Sequence, residues 1–199
     1  MIHENQKIIF SSPAYLPTNY GLFTIISFKV EGHFDDHLIV TMGDLKSKEN
    51  VLMRVHSECL TGDVFASLKC DCGEQLKTSM AMISERKEGV IIYLKQEGRG
   101  IGLFNKVNAY SLQDAGHDTI TSNHLLGFAT DLRKFDLVKN VVEYLGMKSI
   151  NLLTNNPEKI ESITQATGLV AQVTPLITKP NKHNSGYLSV KKEYLDHRL

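Results

Sequence analysis

The segment HSECLTGDVFASLKCDC, from His56 to Cys72, holds all three cysteines of the 199-residue chain. An odd count excludes a complete disulfide framework, and a bridge between Cys70 and Cys72 would close a strained ring. Two readings of the cluster remain. One is metal ligation; the other is clustering of small buried residues, because free cysteine is common in protein cores. Zinc takes thiolates readily, and a catalytic zinc site has three protein ligands and one open position. Cys59, Cys70 and Cys72 supply that number of sulfurs. A closed structural site needs a fourth ligand, which His56 could supply from nearby.

His56-Ser57-Glu58 also invites comparison with the zinc deaminases, whose signature is H-x-E followed by P-C-x-x-C. The fit is poor: the pair here is C-x-C, no proline precedes it, and Cys59 directly follows the glutamate. A second chemical feature is the loop QEGRGIGL, with Gly98, Gly100 and Gly102. It is not G-x-G-x-x-G, since Leu103 takes the place of the last glycine, and it is not a Walker loop. Sparse side chains would let its backbone N–H groups approach a phosphate, with Arg99 adding charge; a tight glycine turn without a ligand explains the same residues. In ATDLRKF, Asp131 precedes Arg133 by two residues. Taken alone, such a pair reads as solvated surface charge.

Strands come first among the elements that must position these groups. GLFTIISFKV (21–30), HLIVTMG (37–43) and NVLMRVHSE (50–58) are β-branched or alternating, with charged turns between them. After the cysteines, EQLKTSMAMISERKEG predicts a helix with Leu76, Met80 and Ile83 on one face and Gly89 as its stop. VIIYLK (90–95) is a short apolar strand leading into the glycine loop, and a second helix is expected over 103–115. FDLVKNVVEYLG sets Leu137, Val138, Val141, Val142 and Leu145 at helical spacing, with Gly146 as the C-terminal stop. SINLLT (149–154) predicts a strand, NNPEKIESITQATG a turn and helix with Pro157 in its first turn, and LVAQVTPLI a closing strand. The expectation is a mixed α/β (α+β) fold, β-rich at the N-terminus and then alternating strands and helices. It forms one domain over 1–178, followed by a polar tail over 179–199.

Composition bounds the partners. Hydrophobic residues at 42% and charged ones at 22% are ordinary for a globular protein, and the formal net charge is zero. Zero net charge argues against a general nucleic-acid or membrane-surface binder, while leaving room for a local cationic pocket. MIHENQKIIF is too polar for a signal peptide and no apolar run approaches a membrane span. A cytoplasmic location, where thiols stay reduced, is the expectation.

Several long segments, in one order along nearly the whole chain, resemble the GTP cyclohydrolase II family. They are RVHSECLTGDVFASLKCDCG (54–73), QEGRGIGL (96–103), AYSLQDAGHDTITSNHLLGFATDLRKF (109–135), LLTNNPEKI (152–160) and NSGYLSVKKEYLDH (184–197). The resemblance implies a zinc-dependent enzyme that opens the imidazole ring of GTP, releases formate and pyrophosphate and begins riboflavin synthesis. It implies Cys59, Cys70 and Cys72 as zinc ligands. Arg54, Val55, His56, Ser57, Glu58, Gln75, Glu97, Gly98, Arg99, Thr119, Thr154 and Lys159 match positions that bind GTP, with Mg²⁺ on the triphosphate. Asp131 matches the general base, Arg133 the residue proposed to attack the α-phosphate, and Tyr110 a tyrosine near the reacting ring. A homodimer is implied as well. An arginine held charged by its pKa above about 12 is a poor nucleophile, so an electrostatic clamp on the α-phosphate stands beside attack as the role of Arg133. Lys69 and Lys95 stand where arginine is common in the family, and Asp196 replaces a frequent glycine. The stand-alone form is expected, without the dihydroxybutanone-phosphate synthase domain that many relatives carry. Two other functions stay open at this point: a paralogue with an altered product or pathway, and a non-catalytic zinc and nucleotide-binding module.

Overall fold

The structure, a computed structural model, describes residues 7–184. Among them eight strands join one sheet: β1 (Ile8–Phe10), β2 (Ala14–Thr18), β3 (Gly21–Val30), β4 (His37–Met42), β5 (Val51–Ser57), β6 (Gly89–Leu94), β7 (Ile150–Leu153) and β8 (Val170–Thr174). The helices are α1 (Leu60–Asp63), α2 (Cys72–Arg86), α3 (Gly102–Asp114), α4 (Thr119–Leu125), α5 (Leu137–Leu145) and α6 (Pro157–Thr167), with a short turn at Glu97–Gly100 before α3. The mixed architecture is the one the sequence predicts. Of the motif at 184–197, all but Asn184 lies outside the described residues.

The sheet has two halves. β1 and β2 both pair antiparallel with β3, β3 with β4, and β4 with β6. From β6 onward the order β6-β5-β7-β8 is parallel throughout. Parallel neighbours need crossovers, which α1–α2 supply between β5 and β6, and α6 between β7 and β8. The chain leaves β5 for β6 on one side, then crosses to β7 on the other. In open α/β sheets, ligands bind outside the carboxyl ends of strands at such a switch point.

Alternation along β5 sorts its side chains between the two faces. Met53 and Val55 join a core with Val138, Val141 and Val142 of α5 and Ile163 of α6. Leu52 faces the other way, into a cluster with Ile83 that Leu76 and Met80 of α2 flank. The stripes predicted for α2 and α5 are therefore the buried ones. Gly146, at φ 66°, ends α5 as expected, and Asn156 caps α6 by accepting the Lys159 N–H ahead of Pro157.

Some boundaries differ from the sequence expectation. α2 begins at Cys72, so the metal-ligand candidate itself enters the first turn, and it stops at Lys87 in the left-handed region, φ 59°. Gly89 is not its stop but the first residue of β6. There a Cβ would come within 2.8 Å of the Leu52 carbonyl oxygen and of Ile83, so glycine is needed for close approach. β1, β2, α1 and α4 have no counterpart in the sequence reading: all are short, and α4 (TITSNHL) is polar and β-branched, held by the Asp118 cap on Ile120 and Thr121. Among the described residues no helix is long and apolar enough to cross a membrane.

Candidate active site

The thiols converge because α1 and α2 are packed backbone to backbone. A Cβ on Gly73 would fall 2.2 Å from the Gly62 carbonyl oxygen, and one on Gly62 would fall 2.9 Å from Cys70 Sγ and 3.2 Å from Cys59 Sγ. That contact brings the N-terminus of α2 against the loop leaving β5. The sulfurs of Cys59, Cys70 and Cys72 all lie within 4.8 Å of one another, with Cys59 and Cys70 3.5 Å apart. Below them Asp63 fixes the loop: its carboxylate accepts the Cys59 N–H at 3.0 Å and the Tyr93 hydroxyl at 2.9 Å, and meets His56 Nε2 at 3.0 Å. Burial lowers the pKa of His56 despite Asp63, so the ring is neutral and donates its Nε2–H to Asp63.

The three thiols cannot all ionise side by side without a cation. Hydrogen bonds from Cys70 and Cys72, reinforced by the nearby Lys106, hold Cys59 as the thiolate. Cys70 is pushed up to about 11 by its bond with Cys59, and Cys72 is raised by its bonds with Cys59 and Cys70. Three soft donors around one point, at charges that only a cation would balance, form a set that could hold a metal ion.

The sulfurs form one wall of an open cleft of about 1120 Å³, counted with the solvent at its mouth. The cleft lies outside the carboxyl ends of β5, β6 and β7. Every residue expected at the site lines it except Val55 and Asp131. Val55 contributes from beneath, its carbonyl accepting the Lys159 ammonium at 2.9 Å. Asp131 acts through Arg133, as described below. Glu97 is buried, 6% exposed, and its carboxylate accepts three hydrogen bonds: Oε2 from the Leu60 N–H at 2.6 Å, Oε1 from the Gly98 N–H at 2.7 Å and from Lys106 Nζ at 2.6 Å. Tyr110, one turn after Lys106 on α3, bonds Thr61 Oγ1 at 3.2 Å, and burial raises its hydroxyl pKa to about 12.

Cations gather at the other wall. Arg54 donates Nη1 to the Leu153 carbonyl at 3.0 Å and Nη2 to Gln75 Oε1 at 2.6 Å; Gln75 in turn donates to Asp71 at 2.6 Å. Burial lowers the pKa of Arg54 to about 10. Lys159, in the first turn of α6, has its pKa lowered by burial and then by Arg54 and Arg133. Arg99 Nη1 and Arg54 Nε are buried donors without a partner among the described residues, the condition that an entering anion relieves. Asp131 grips Arg133 with both oxygens, at 2.9 Å from Nε and 2.5 Å from Nη2. Burial alone would raise the Asp131 carboxyl, but the hydrogen bonds and charge of Arg133 outweigh it and hold it below the usual range. The pair is mostly buried, not the solvated pair that the sequence alone suggests. The glycine loop carries it: Leu132 N–H bonds the Arg99 carbonyl at 3.0 Å, and a Cβ on Gly100, where φ is 91°, would fall 3.0 Å from Leu132 Cβ.

A family model described as GTP cyclohydrolase II matches residues 10–174. This chain belongs to the GTP cyclohydrolase II family. Among its relatives, GTP cyclohydrolase-2 of Hamiltonella defensa is 50% identical over 186 residues, covering 94% of this chain and 95% of the relative. The protein of that name from Baumannia cicadellinicola is 50% identical over 94% of each chain. That from Pseudomonas entomophila is 44% identical over 96% of this chain and 94% of the relative.

Family membership accounts for the motif order. The geometry adds residues that the motifs did not single out: Lys106 and Asp63, and the cleft-lining Asn123, Asn155 and Asn156. For Lys106 one signal was present, a lysine four residues before Tyr110 on one helix face. Spacing alone could not reveal that it is buried.

Proposed function

We propose that this chain is an enzyme that hydrolyses GTP at the guanine imidazole ring, with zinc held by Cys59, Cys70 and Cys72. The products are formate, pyrophosphate and 2,5-diamino-6-(5-phosphoribosylamino)pyrimidin-4(3H)-one, and the reaction is the first step of riboflavin biosynthesis. Three waters are consumed: one opens the C8–N9 bond, a second cleaves the resulting formamide, and a third cleaves the α–β phosphoanhydride. What carries this reading is one juxtaposition, three converging sulfurs with a buried carboxylate beside them and buried cations across the cleft.

Tetrahedral zinc with Zn–S near 2.3 Å sets sulfurs about 3.8 Å apart, which suits the spacing of this trio. Bound zinc supplies a Lewis acid that lowers the pKa of water to about 7. The protein's own residues do the rest. Glu97, with one oxygen accepting only the Leu60 N–H, retains lone-pair capacity for the N1–H and amino group of guanine. Arg54, Arg99 and Lys159 take the triphosphate with Mg²⁺, and Tyr110 lines the cleft for a role near the reacting ring. Asp131 holds Arg133 as a cation. A carboxylate below its usual pKa is a weak base toward a guanidinium, which favours the clamp on the α-phosphate over attack. We extend the reading to a single catalytic domain over 1–178, acting as a cytoplasmic homodimer with no nucleic-acid or membrane partner.

The test is incubation with GTP and Mg²⁺ and measurement of formate and pyrophosphate on one preparation. Both are expected, with about one zinc per chain, and Cys70→Ser is expected to lose formate. Ring opening without formate indicates the paralogue, and neither product with bound nucleotide indicates the binding module. Arg133→Lys should keep part of both activities if charge is what matters, whereas Arg133→Ala should lose them.

A further inference from the structure

We infer that Lys106 is a positioning residue that couples Glu97 to the metal-ligating Cys59, so that the base-recognition group and the metal site are set by one buried ammonium. This rests on the metal reading above. Lys106 lies in the second turn of α3 and is 8% exposed. Its Nζ donates to Cys59 Sγ at 3.1 Å and to Glu97 Oε1 at 2.6 Å. The stem is fixed as well. Gly98, in the left-handed region at φ 62°, lies so close that a Cβ there would fall 3.1 Å from Lys106 Cβ. Glu97 is held in place on both oxygens, Oε1 by Gly98 and Lys106 and Oε2 by the Leu60 N–H alone, so neither partner of Lys106 is free to drift.

Charge gives the reason for a cation at this point. Three thiolates and one carboxylate carry four negative charges, and a divalent ion supplies two positive ones. Lys106 supplies a third inside a poorly solvated pocket, where an unbalanced charge is costly. A hydrogen bond to a ligating sulfur also orients its lone pairs, and loss of such partners typically weakens metal binding 10–100-fold. Glu97 reaches the sulfur through the ammonium that it holds. A change at Glu97 therefore reaches the metal through Lys106. The alternative route runs through the Leu60 N–H, one residue from Cys59.

A double-mutant cycle separates the routes. Zinc affinity of the full chain is measured by competition with a chromophoric chelator for wild type, Lys106→Met, Glu97→Gln and the double variant, with melting of the zinc-free proteins as a check on folding. Each single change should weaken zinc about 10-fold, and the double variant should bind no more weakly than the worse single one, within about twofold. Lys106→Arg, which keeps the charge, should recover part of the loss; it also serves if Lys106→Met does not fold. Unchanged or tighter zinc binding in Lys106→Met overturns the inference, as do additive losses, which place the effect of Glu97 on the Leu60 route. A wild-type chain that holds no zinc overturns the metal reading and this inference with it; zinc in the wild type with unaffected variants overturns this inference alone.

Discussion

Arg54, Lys159 and Arg133 are cations packed close together, and burial weakens the charge on Lys159 before any anion arrives. Among the described residues its ammonium has one protein acceptor, the Val55 carbonyl, and it faces the Phe135 ring at 5.1 Å. A phosphate entering beside it restores the charged form. Triphosphate binding should therefore take up a proton, and affinity should fall as pH rises between the lowered pKa of the empty site and the raised one of the complex. The loss should approach about tenfold per pH unit. Calorimetry in two buffers of different ionisation enthalpy measures the uptake, on chelator-treated protein so that GTP is not turned over. Working above about pH 8 keeps the phosphates, with a second pKa near 6, fully ionised. Lys159→Met should abolish the uptake; uptake that persists in that variant assigns the proton elsewhere. At this scale the thiols were legible because ligand type and number are carried by the sequence itself. Lys106 and Asp63 were not: a single lysine or aspartate ordinarily reads as solvated, and only the fold turns each into a buried hub.

Helices α1 and α2 meet through glycine, and the two glycines do different work. Gly73 opposes backbone: a Cβ 2.2 Å from the Gly62 carbonyl oxygen forces the elements apart. Gly62 opposes sulfur, where the neighbours are the ends of side chains. Gly73→Ala is expected to cost roughly 1–3 kcal/mol in denaturant unfolding of the metal-free chain, the range for overpacking. Gly62→Ala should cost less stability but also loosen zinc, because it pushes on the Cys59 and Cys70 sulfurs. Equal unfolding midpoints for wild type and Gly73→Ala would show that the interface gives way without cost. The long elements were legible where a stripe had enough turns to repeat, as in α2 and α5. α4 was not, since its seven residues, all but Leu125 polar or β-branched, hold a helix through the Asp118 cap and not through an apolar face. The predicted helix stop at Gly89 failed for a related reason: glycine marks a special backbone position, but a close approach to Leu52 and a helix end leave the same letter.

The whole molecule joins an antiparallel half to a parallel half, and the cleft opens where the chain order reverses around β5. Local periodicity predicts strands but not their neighbours, so the order β6-β5-β7 was beyond the sequence, although it gathers Arg54, Glu97 and Thr154 at one end. Two histidines on this sheet contribute to its response to acid. His37 of β4 accepts the Lys95 N–H at 3.0 Å through Nδ1, and His56 of β5 donates to Asp63. Burial is the largest influence on each, and both pKa values lie below the ordinary 6.5. Below about pH 6.5 the unfolded chain therefore binds protons that the folded chain refuses. The histidine contribution is complete above that value and falls as pH drops toward the lowered folded-state values, by up to about 1.4 kcal/mol per histidine for each pH unit. Carboxylates such as Asp131, held below their usual range, add their loss only in stronger acid. Urea unfolding between about pH 7.5 and 5 separates the histidine window from that of the carboxylates. The histidine variant separates it from the slope that the Cys59 thiolate and buried Lys159 add across the same interval. Chelator should be present throughout, because acid also strips thiolate-bound metal. His37→Gln should flatten the slope by its own share and leave that of His56; a wild-type midpoint that does not fall across this interval would mean that neither ring is held neutral by the fold.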